Sequence, residues 1–176
     1  MILRAHPDGR FEFGPDETAL KSVRCALGRS GVVAAADKRE GDGASPAGAW
    51  PVRRGYWRCD RLERPRTALI LDPIGADDGW CDAPGDPAYN RPVRLPYPAS
   101  CEAMAREDAL YDIVVVLGHN DDPPRPNMGS AIFLHCAKPD FPPTQGCVAL
   151  ARGDLIEVLE SLRPGDLLEI AAGARA

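Results

Sequence analysis

Between Gly129 and Leu150 two short apolar runs flank a loop that no helix can enter. Pro139, Pro142 and Pro143 each remove a backbone donor and fix φ, so the segment between the runs must turn widely and return. The first run, Ala131 to Leu134, reads as a buried strand that delivers His135 at its end, and the second begins at Cys147. A returning chain sets an imidazole beside a thiol, and an adjacent imidazole can take a thiol's proton to make it a nucleophile. Gly146 has no Cβ, so the amides around Gln145 to Cys147 can approach a ligand and converge on a developing oxyanion. Those are the parts of acyl transfer through a thioester.

The rest of the chain reads mainly as β. Ile2 to Arg4, a Pro7-Asp8-Gly9 turn and Arg10 to Phe13 form a hairpin pattern, followed by strands over Leu20 to Leu27 and Val32 to Ala36. Gly41 to Gly48 lacks the spacing of a phosphate loop and no helix follows it, so it reads as a structural turn before a strand over Ala49 to Arg58. Thr67 to Leu71 is a short strand. Asp72 to Pro98, dense in Pro, Gly and Asp, reads as a substrate-side flap. Ser100 as N-cap predicts a helix over Cys101 to Leu110, and Asp112 to Leu117 is a β-branched central strand ending at His119. An amphipathic helix over Asp154 to Leu162 and a closing strand over Asp166 to Ile170 complete one domain, 1–172, with Gly173 to Ala176 as a frayed tail. The expected architecture is a mainly β sandwich or flattened barrel with about two short helices at its edge.

Composition excludes several functions. Charged residues are 27% of the chain and the net charge is −5, which gives no basic surface for nucleic acid. No run approaches the length of a membrane span, and the N-terminus has no apolar signal region, which predicts a cytoplasmic location, or a periplasmic one if the sequence is a trimmed piece. The six cysteines are scattered without a C-x-x-C pair, so neither a zinc ribbon nor a redox motif is expected, and free thiols are favoured over disulfides. No metal and no cofactor is expected. Among the three histidines, His119 also ends a strand and is a candidate to line the same pocket as His135, while Arg152 is a candidate for recognising a carboxylate.

The stretch Thr144-Gln145-Gly146-Cys147-Val148, with His135 about a dozen positions earlier, resembles the L,D-transpeptidase (YkuD-type) catalytic domain, whose motif is a histidine followed by Ser/Thr-His-Gly-Cys and an apolar residue. Lys38 to Gly48 is similar to that family's early "K-x-x-G-D-G-x-T-P-x-G" loop. The resemblance implies a β-sandwich catalytic domain with Cys147 as nucleophile, His135 as base and the Gly146 and Cys147 amides as oxyanion donors. It implies a peptidoglycan tetrapeptide stem or muropeptide as partner and acylation of Cys147 by carbapenems. Thr144, Gln145, His119 and Arg152 are the expected substrate contacts. Gln145 and Ala149 depart from the family's histidine and its arginine or asparagine, and Arg152 is the candidate replacement for one of them. Transfer to an amine, hydrolysis as a cytosolic L,D-carboxypeptidase, non-catalytic stem binding, and peptidase action on ordinary L,L bonds are the alternative outcomes.

Overall fold

A computed structural model describes residues 1–173. In chain order the strands are β1 (Ile2–Ala5), β2 (Arg10–Gly14), β3 (Lys21–Ala26), β4 (Val32–Ala34), β5 (Ser45–Trp57), β6 (Leu71–Pro73), β7 (Asp78–Cys81), β8 (Pro92–Arg94), β9 (Cys101–Ala103), β10 (Ile113–Leu117), β11 (Phe133–Cys136), β12 (Val148–Leu150) and, after the helix α1 (Arg152–Ser161), β13 (Leu167–Ile170). The large sheet runs β10-β11-β12-β3-β2-β1-β13-β5, and β5 pairs back onto β10, which closes it into a flattened barrel. Closure is possible because β5 is long. Its first half pairs with β13 through Gly48 to Pro51 and its second with β10 through Val52 to Trp57. Closing the ring also satisfies the backbone donors and acceptors that an open edge would leave unpaired.

The β-rich expectation holds, including the hairpin, which turns at Gly9 with φ +86°. The helix expected at Asp154 is α1, which inserts Leu155, Val158 and Leu159 into the barrel core. The helix expected over Cys101 to Leu110 does not form. Cys101 to Ala103 is instead β9, paired with β7, because tertiary pairing overrides a helical propensity worth only tenths of a kcal/mol per residue. A single 3₁₀ turn follows at Ala109–Tyr111, capped by Asp108. The stretch Asp72 to Pro98, expected to be irregular, carries two of the three strands in a small β8-β7-β9 sheet. The strand expected over Thr67 to Leu71 lies later, at Leu71–Pro73. Apart from Gly173, the tail expected to fray lies outside the described residues. Among the described residues no helix is long and apolar enough to cross a membrane.

Strands β10 and β11 are buried on both faces, which is why they read as continuous apolar runs. Ile113, Val115, Leu117, Leu134 and Cys136 face the barrel core, whereas Val114, Val116 and Phe133 face a second core beneath the small sheet. Trp80 of β7 stands edge-on to Phe133 at 5.0 Å between ring centres, which seats the small sheet on the barrel.

Asn90 joins the two layers. Its Oδ1 accepts from the Trp80 indole and from the Ala131 amide, both at 3.0 Å, and its Nδ2 donates to the carbonyls of His119 (3.2 Å) and Asn120 (2.7 Å). Asn90 sits at φ +56°, a left-handed conformation that asparagine tolerates better than most residues. Asn90→Ala strands two buried donors and is expected to destabilise the fold by about 3 kcal/mol. Urea unfolding of the variant and wild type checks this; a loss below about 1 kcal/mol would contradict it.

Candidate active site

Cys147 and His135 are placed by one register. Strand β11 runs parallel to β12 with Leu134 opposite Val148 and His135 opposite Ala149. Alternation then sends Leu134, Cys136, Val148 and Leu150 into the barrel, and Phe133, His135, Cys147 and Ala149 to the other face. His135, Cys147 and Ala149 consequently line one cavity of about 590 Å³.

Cys147 lies just before β12. Its thiol donates to the Ala131 carbonyl at 3.1 Å and accepts the Phe133 amide at 3.4 Å. Gly146 before it has φ +136°, and a Cβ there would stand 2.7 Å from the Ala44 carbonyl, so the turn admits no larger residue without displacing the Gly41 to Gly48 loop. Thr144 braces the turn: its hydroxyl donates to the Cys147 carbonyl at 2.7 Å and accepts the Gly146 amide at 3.1 Å. Of the two amides expected to hold an oxyanion, that of Gly146 is engaged by Thr144. That of Cys147 has no hydrogen-bond acceptor among the described residues.

His135 is tied at Nδ1 to the Cys136 carbonyl at 2.8 Å. A carbonyl only accepts, so Nδ1 carries the proton and Nε2 keeps its lone pair. The Tyr111 ring packs edge-on against the imidazole with centres 5.4 Å apart. Burial pushes the Cys147 thiol up to about 12 and pulls the His135 imidazole down to about 4. Both shifts favour the neutral pair, so the resting state is thiol and imidazole, not thiolate and imidazolium. Among the described residues His135 and Cys147 share no hydrogen bond.

Of the other expected contacts, Thr144 and Gln145 line the cavity, and the Gln145 side-chain oxygen accepts from the Arg29 guanidinium. His119 and Arg152 do not line it. The pairing of β10 with β11 is antiparallel, with Val114 opposite His135, so His119 beyond the far end of β10 is carried away from His135. It packs instead on Trp50 and bonds the Met128 carbonyl at 2.9 Å. Arg152 begins α1, past the end of β12, and pairs with Asp112 at 3.3 Å, with its side chain 58% exposed. Cys136 is buried in the barrel core, where burial pushes its thiol up to about 11.

The cavity also holds charged residues that motif reasoning did not single out as site residues. Lys38, 2% exposed, donates to the Arg39 carbonyl and to Asp42, each at 2.7 Å. Asp82, Glu102 and Arg106 come from the small sheet and the segment after it, and Lys138 from the loop before Cys147. Lys38 was legible as the first residue of the early motif. The acidic residues carried no sequence signal, because their stretches were expected to be irregular or helical.

The buried imidazole makes stability acid-sensitive. In the unfolded chain His135 takes a proton near its ordinary 6.5, but in the fold only near 4. Its contribution is therefore full above about 6.5 and is lost as pH falls toward 4, amounting to about 3 kcal/mol. Urea unfolding of wild type and His135→Gln across that window is expected to show a steeper loss in wild type. Parallel curves would contradict the assignment.

The family model of YkuD, the L,D-transpeptidase catalytic domain, matches residues 7–170. No curated protein and no solved structure matches the chain. The matched stretch includes every residue of the cavity wall, from Lys38 to Ala149. The chain belongs to the L,D-transpeptidase catalytic-domain family.

Proposed function

We propose that this domain transfers the acyl group of a peptidoglycan tetrapeptide stem through a thioester on Cys147. The observation that carries the reading is the placement of Cys147 and His135 on one cavity beside the β11–β12 ladder, with Nδ1 of His135 committed to a carbonyl and Nε2 left free to act as the base. The sulfur attacks the carbonyl of the L-centre residue that precedes the terminal D-alanine. His135 accepts the thiol proton at Nε2 and returns it to the departing D-alanine nitrogen. The Cys147 amide is the donor available to the developing oxyanion. An amine then attacks the thioester carbon, the C–S bond breaks with its electron pair on sulfur, and the proton lost by the amine restores the thiol.

A neutral resting pair fits this sequence, because the thiolate then forms only as the carbonyl accepts the electrons and a buried charge is never left uncompensated. A cavity of about 590 Å³ falls within the range of pockets that enclose small ligands.

The test is mass spectrometry of protein and products after incubation with a disaccharide-tetrapeptide and excess D-methionine. Wild type is expected to exchange the terminal D-alanine for D-methionine and to carry a transient acyl mass on Cys147. A carbapenem should leave a stable adduct on the same residue. Cys147→Ala is expected to lose both products and adduct, and His135→Asn to slow exchange by about 10²–10⁴-fold. Plain loss of D-alanine at any D-methionine concentration would convert the reading to a carboxypeptidase. Absence of any acyl mass on wild type would remove the enzymatic reading.

A further inference from the structure

One wall of the cavity is acidic and incompletely paired. Strand β7 opposes β9 with Trp80 opposite Glu102 and Cys81 opposite Cys101, so Trp80 and Glu102 lie on one face of the small sheet, and Asp82, directly after β7, donates its amide to the Ser100 carbonyl at 3.2 Å. That is the face Trp80 turns toward Phe133 and the nucleophile. Glu102 meets Arg106 at 3.3 Å, while Asp82 keeps a buried Oδ1 with no partner among the described residues. The hydroxyl of Ser130, a residue 7% exposed, is unpartnered as well. Asn90 holds these groups together, since its amide donates to the Cys81 carbonyl at 2.9 Å and its side chain accepts from Ala131. Asp82 and Ser130 each adjoin a residue fixed by Asn90, and both line the cavity with Cys147.

Buried acceptors left unpaired cost free energy unless a ligand supplies donors. Two carboxylates and a hydroxyl call for a compact cation with several N–H groups, which is a primary ammonium. We propose that Asp82, Glu102 and Ser130 form the subsite for the primary amine of the acyl acceptor, so that the thioester on Cys147 is resolved by transfer in preference to water. This rests on the acyl-transfer reading above. Burial, with the charge of Asp82 adding to it, holds the Glu102 carboxyl above its usual range, which suits it to receive a proton. In the balanced step the ammonium gives one proton to the Glu102 carboxylate, and the freed amine attacks the thioester carbon. The C–S bond breaks toward sulfur, and a second N–H proton passes through His135 to the thiolate.

The experiment measures exchange at varied D-methionine for wild type, Asp82→Asn, Glu102→Gln and Ser130→Ala, after each protein has been shown by mass to acylate at Cys147 with the disaccharide-tetrapeptide. The acid variants are expected to raise KM for D-methionine about tenfold and to shift product toward hydrolysis, with a smaller rise for Ser130→Ala. An unchanged KM in all three acylating variants overturns the subsite while leaving the acyl-transfer reading intact. Loss of acylation in the acid variants alone assigns the wall to the donor and also overturns it. No acylation of wild type removes both.

Discussion

The placement of His135 and Cys147 in one cavity depends on the parallel register between β11 and β12. Because side chains alternate with period two, a slip of one residue would send His135 into the barrel core and bring Leu134 to the cavity. The register is held from the barrel side by Leu134, Cys136, Val148 and Leu150, all buried among the residues that α1 closes over. A parallel pair also needs a long return, and the loop from Ala137 to Gly146 supplies it without a helix. Thr144 pins that loop to the far strand by accepting the Arg29 amide and donating to the Leu27 carbonyl, each at 2.8 Å. Apolar packing on one face thus fixes His135 and Cys147 on the other.

That arrangement sets burial against reactivity. A thiol pushed to about 12 and an imidazole pulled to about 4 are poor acid–base partners in isolation. Burial penalises each charge separately, however, and a proton passed from one to the other creates two opposite charges in the same low-dielectric cavity, where attraction is strong. A protonated His135 ring would strengthen the Nδ1 bond to the Cys136 carbonyl. The same burial that keeps the thiol protonated at rest strengthens the attraction within any ion pair formed there.

The sequence showed the strands and the approach of His135 and Cys147 to one cavity because both are written in short-range patterns: apolar runs, prolines that end them, and a glycine before a cysteine. It misplaced His119 because neighbouring strand ends share a rim only when strands are parallel, and β10 with β11 is antiparallel. It misread Cys101 to Leu110 because Ser100 mimics the N-cap of a helix. What decides the segment is the free edge of β7, where Trp80 meets Glu102 across a separation in sequence that no local pattern spans. Arg152 failed as a cavity residue for a related reason: its sequence distance from Cys147 is short, but the chain leaves the sheet at Ala151 to start α1.

The departures from the family motif acquire a physical meaning once the cavity is seen. Gln145 stands where the family's motif has a histidine, and its side-chain oxygen is occupied by Arg29, so it brings no charge of its own to Cys147. Ala149, on the cavity face, contributes no polar atom where the commonest motif has arginine or asparagine. The β12 side of the site is therefore nearly apolar around the thiol. Ionic groups enter from other segments: Lys38 below Gly129, Lys138 from the connecting loop, and Asp82, Glu102 and Arg106 from the small sheet and its exit. Charge placed on the small sheet is held by Trp80 and Asn90, not by the β11–β12 ladder. The charged lining of the cavity can then change by substitutions in a segment that the barrel does not need for closure, while the β11–β12 register stays fixed.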